Sequence, residues 1–128
     1  MRKLDIIVGW LLIAFGLTHI LLTRTVHPNL DVNAVWFVTG GLLMILIGAL
    51  NLLRVAYGPV AKGVHMVSLV ANLVLMALML WITTLFPMRS NPQVVVGLVL
   101  AILLTTFSVL RRPGHVQAHQ VQTAKRSL

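Results

Sequence analysis

Residues 61–86 read AKGVHMVSLVANLVLMALMLWITTLF, and the fold turns on this stretch. A helix crosses the hydrocarbon core of a bilayer with roughly 20 consecutive apolar residues, and this run exceeds that length. Its polar members His65, Ser68, Asn72 and Thr83 recur with Met76 and Met79 at steps of three or four. That spacing lines them along one side of a helix from end to end. The side is expected to face protein or a cavity rather than lipid, because an unpaired amide such as that of Asn72 is costly in hydrocarbon.

Three more runs have the same character: Leu4 to Leu22, Ala34 to Val55 and Val94 to Leu110. Pro28, Pro59, Pro87, Pro92 and Pro113 lie between or after the runs, where a missing amide donor costs least. A helix satisfies its own backbone in lipid, whereas the strands of a closed barrel need an alternating polarity that these runs lack. The expected fold is therefore all-α, an integral membrane protein with four transmembrane helices at about 4–22, 34–55, 61–86 and 94–110. Short connections predict antiparallel neighbours in an up-down-up-down bundle over 1–112. From 113 to 128 a basic, polar tail follows, read as disordered or as a loosely surface-bound helix.

Only 9% of the residues are charged and 59% are hydrophobic, against about 25% charged in a soluble domain. Ten Lys and Arg against two acids give +8, a balance that would suggest nucleic acid in a soluble protein. The positions argue otherwise. Arg2, Lys3, Arg54, Lys62, Arg111, Arg112, Lys125 and Arg126 all fall on one side if the spans alternate, and only Arg24 and Arg89 on the other. The positive-inside rule then predicts cytoplasmic termini, N-in and C-in, in a bacterial inner membrane. The expected partners are membrane lipids, a second copy of the chain or a larger membrane complex, and no nucleic acid. The opening Met-Arg-Lys imitates a secretory signal, but the apolar run continues without a small-x-small cleavage site, so it is read as a retained first helix.

Several chemistries lack their residues. No cysteine is present, which removes disulfides and thiolate chemistry. There is no glutamate, and Asp5 and Asp31 are placed at or outside the membrane boundary, so carboxylate-driven proton coupling inside the bilayer has no candidate. Paired acids, a serine with a histidine and an acid at one depth, and a phosphate loop are likewise missing. His115 and His119 form an H-x-x-x-H pair without a third ligand. His19 and His65 belong to opposite ends of their spans and cannot share a ligand. No catalytic residue, metal or cofactor is assigned.

The candidate positions form three groups. Asn51, His65, Ser68 and Asn72 are expected as an inner-leaflet polar cluster, either a clamp between the second and third spans or a ligand site. His19, Thr39 and Thr83 lie at comparable depth toward the outer leaflet. Small residues at helical spacing mark packing faces: Gly9 and Gly16 in the first span, Gly41 and Gly48 in the second, Gly97, Ala101 and Thr105 with Ser108 in the fourth. Small-residue faces without reactive groups suggest a non-enzymatic protein acting through its intramembrane surfaces, as an accessory or assembly subunit or as an apolar-ligand or lipid binder. The alternative is a homo-oligomeric small transporter or pore lined by the face of His65, Ser68, Asn72 and Thr83.

Overall fold

The computed structural model describes residues 2–29, 31–58, 60–85 and 91–110. These residues form α1 (Arg2–Leu21), α2 (Thr23–Val26), α3 (Val32–Tyr57), α4 (Lys62–Leu85) and α5 (Pro92–Leu110), with no strand among them. The protein is all-α, and α1, α3, α4 and α5 are each long and apolar enough to cross a membrane. Phe86 and the Pro87 turn with Arg89, Pro59, and the chain from Arg111 on, including His115 and His119, lie outside the described residues.

Helices α3 and α5 each begin two residues ahead of their apolar runs for local reasons. Two residues ahead of its run, α3 starts where the Asp31 side chain caps it, accepting from the Ala34 amide at 3.0 Å. Pro92 opens α5 at the first helical position, where its absent N–H would have had no intrahelical partner. The connection between α1 and α3 holds the short α2, whose Thr23 hydroxyl bonds back to the His19 carbonyl at 3.2 Å.

Close approach of α1 and α3 depends on glycine. A Cβ on Gly16 would lie 2.5 Å from the Gly41 carbonyl oxygen, and one on Gly41 would lie 2.7 Å from that of Gly16. Two helical turns away, a Cβ on Gly48 would lie 2.8 Å from the Gly9 oxygen. The pairs fall in reverse order along the two helices, each spaced by seven residues, the period of a packing seam. On α5, Gly97 makes room for Met79 of α4, since a Cβ there would meet its sulfur at 2.9 Å. Ala101, Thr105 and Ser108 continue the same buried face.

Val8, Leu12, Met44, Ile47, Leu75, Met79, Leu100, Ala101 and Leu104 make one core to which all four long helices contribute. Leu, Val and Trp side chains cover the outside, among them Trp10, Trp36 and Trp81, each more than half exposed. So continuous an apolar exterior suits lipid as the surrounding solvent.

Candidate functional site

Polar side chains gather inside the bundle at the end that carries Asp5. Asn51 Nδ2 of α3 donates to Asn72 Oδ1 of α4 at 2.7 Å, and Asn72 Nδ2 donates back to Asn51 Oδ1 at 2.9 Å. Asn72 Nδ2 also reaches Ser108 Oγ at 2.8 Å and the Leu104 carbonyl at 3.3 Å, both on α5. Asn51 Nδ2 further donates to the Ile47 carbonyl at 2.9 Å. From the other side Arg54 Nε donates to Asn51 Oδ1 at 3.3 Å, and Arg54 Nη2 to Asp5 Oδ1 at 2.6 Å. One connected network thus joins α1, α3, α4 and α5, and Asp5, Asn51, Asn72 and Ser108 have no solvent exposure. Ser68 stands beside it, its hydroxyl donating to the Leu50 carbonyl at 3.1 Å. His65 is buried at the same end but enters none of these bonds.

Two residues outside the expected polar cluster complete the network. Asp5 lies within the first turn of α1 and is sealed inside the bundle. Arg54, counted among the cytoplasmic basic residues, is 2% exposed and holds that carboxylate. The physical reason is mutual: a buried charge persists when a partner of opposite sign shares its desolvated site. The available signal was that Arg54 falls one turn after Asn51, on the side of α3 that carries Ile47 and Asn51.

A buried hydrogen-bonded network of this kind holds helices together. The stripe from His65 to Met79 also points inward: His65, Ser68, Asn72 and Met79 are all buried. Within the protomer that face is packed from His65 to Asn72, reaches a cavity at Met79, and is partly exposed at Thr83.

The opposite end is about 21 Å away along α1, by the 1.5 Å rise per residue between Asp5 and His19. His19, Thr39 and Thr83 do not form a hydrogen-bonded group there. Thr39 donates to the Val35 carbonyl at 2.8 Å and Thr83 to that of Leu80 at 2.6 Å, each on its own helix. The His19 ring stacks on Phe37 of α3, with centroids 3.7 Å apart and planes 16° from parallel. His27 meets the same phenyl ring at 5.4 Å and 64°. Phe15 lies 6.0 Å from His19. Phe15 and His19 are one turn apart on α1, whereas the contacts of His19 and His27 with Phe37 join separate elements and carry no periodic signature.

These rings line a cavity of about 530 Å³. Its deep wall is buried and apolar, formed by Met44, Leu75 and Met79, with Leu43, Leu78 and Ile82 alongside. His19, His27, Asn33 and Gln93 supply polar groups nearer the surface. Gly40 keeps part of the space open, since a Cβ there would find only His19 Cδ2, at 4.0 Å. Its neighbour Gly41 is jammed in the α1–α3 seam, so the adjacent glycines have different tasks. Among the described residues no group of three or more His, Cys, Asp or Glu side chains is placed to hold a metal.

No protein-family model, no curated protein and no solved structure matches this chain.

Proposed function

We propose that this chain is a small, non-enzymatic multi-pass membrane protein that holds an apolar ligand in the cavity beside His19 and Phe37. The carrying observation is the contrast between the two ends of the bundle: one is tied by a closed polar network, the other keeps about 530 Å³ between apolar and aromatic walls. That volume lies within the roughly 300 to 1,000 Å³ occupied by small-molecule sites. Reversed contact order between α1 and α3 supports an up-down-up-down threading. With the basic flank, the same reading gives cytoplasmic termini in a bacterial inner membrane and places the cavity toward the outer leaflet, reached from membrane lipid.

Purification in a maltoside detergent followed by mass spectrometry of extracted lipophiles tests the binding. Wild-type protein is expected to carry a bound lipophile in a reproducible ratio, and Gly40→Leu, which fills the cavity, to lose it. Equal retention by Gly40→Leu would rule out this cavity as the site. The threading has its own test, made clean by the lack of native cysteine: Val60→Cys and Ser90→Cys are expected to react with an impermeant thiol reagent from opposite sides of a sealed vesicle.

A further inference from the structure

The walls of the cavity specify more than an apolar occupant, and what they specify rests on the binding proposed above. His19, His27 and Gln93 line it, and none of the three makes a side-chain hydrogen bond to another described residue. Asn33 adds an amide that donates to Asp31 at 3.3 Å and keeps its own oxygen. These are hydrogen-bonding side chains, and no Asp, Glu, Lys or Arg stands among the described lining residues, although Asp31 lies just behind Asn33. A phosphate or carboxylate head entering such a site would give up hydration without meeting a Lys or Arg side chain. A head that bears carbonyl or hydroxyl oxygens would meet ring N–H and amide N–H donors instead.

The aromatic members add a shape requirement. Phe15, Trp36, Phe37 and the imidazole of His19 present ring faces and edges at one side of the cavity, and flat rings pack against such surfaces in offset or edge-on contact. Stacking on Phe37 also holds the His19 ring in a fixed plane, so its nitrogens are positioned before a ligand arrives. Behind the rings, Met44, Leu75 and Met79 offer only apolar contact, and methionine adapts to chains of varied shape. We infer that the cavity selects a lipophile with an uncharged, oxygen-bearing ring head, of the benzoquinone or phenol class, seated against the His19 and Phe37 stack with its hydrocarbon tail toward Met44 and Met79.

The test uses full-length protein in maltoside detergent with two probes that share one tail, a decyl-substituted benzoquinone and decylphosphocholine, and reads quenching of tryptophan fluorescence, to which Trp36 contributes. Saturable binding of the quinone, weakened about tenfold in His19→Phe, which keeps the ring stack and removes the hydrogen-bonding nitrogens, is the expected result. His27→Phe provides a second reading should the first variant fold poorly, and decylphosphocholine is expected to displace the quinone weakly. Equal displacement by both heads, or unchanged affinity in both phenylalanine variants, overturns the head-group inference; release of both probes by Gly40→Leu would then show that the cavity still holds tails. Absence of saturable quinone binding to wild type overturns the inference outright, while the copurifying lipophile continues to decide whether the cavity is a site.

Discussion

Arg54 of α3 reaches Asp5 of α1, Nη2 to Oδ1 at 2.6 Å, and both side chains are at most 1% exposed. The pair sits one turn from Asn51, so the ion pair and the amide network are one structure. Removing either partner alone strands a buried charge, which typically costs about 3 to 5 kcal/mol. Arg54→Leu and Asp5→Leu are each expected to lower the unfolding midpoint in detergent sharply. The double variant Asp5→Leu/Arg54→Leu should be less damaged than the sum of the two, and strict additivity in this cycle would mean that the pair is not coupled.

Asn72→Leu removes the central member of the network and leaves Asn51 Oδ1 and Ser108 Oγ without its amide donor. A loss of about 1 to 3 kcal/mol is expected, at the low end if the chain finds substitute partners in the membrane. Thermal unfolding followed by tryptophan fluorescence would read it. An unchanged melting profile would show that the network is not a clamp.

Adjacent glycines should respond oppositely to alanine. In Gly41→Ala the new methyl meets the Gly16 carbonyl at 2.7 Å, backbone against backbone, so the helices must separate, at a cost of about 1 to 3 kcal/mol. Gly40→Ala adds a methyl with 4.0 Å of clearance and is expected to be neutral or slightly stabilising. Parallel melting curves of the two variants check the contrast, and equal destabilisation would argue against a seam made by Gly16 and Gly41.

Acid dependence is expected at the start of α3. The hydrogen bond from the Ala34 amide holds the Asp31 carboxyl below its ordinary value, with the neighbouring Asn33 and His27 acting in the same direction. A carboxyl whose native pKa is depressed contributes its full stabilisation above the unfolded value of about 3.9 and loses it as pH falls through the lower native value. Asp31→Asn keeps a capping oxygen without this titration. Its unfolding midpoint should therefore fall less than that of wild type between about pH 5 and pH 2. Superimposable pH profiles would show that the cap does not depend on charge.

The membrane-spanning helices were legible in the chain because length and hydropathy act locally: each run satisfies its own backbone hydrogen bonds whatever its neighbours do. The glycines of α1 and α3 and the Asn72 stripe were legible as faces for the same reason, since helical spacing alone decides which residues share a side. Which faces meet was not legible. Asn72 had Asn51 and Ser68 as nominated partners, whereas its bonds go to Asn51 and Ser108, and Ser68 turns to the Leu50 carbonyl. Asp5 and Arg54 are 49 positions apart, and nothing in either residue's local surroundings announces the other. The same holds for His19 with Phe37, and for the cavity beside them, which exists only because five helices close around a space that none of them encloses alone. The residues by themselves determined an all-α chain with four helices long and apolar enough to cross a membrane, and its polar stripes. Only tertiary packing decided which stripe is sealed by hydrogen bonds and which end stays open, because those outcomes depend on interhelical register and on contacts that have no period.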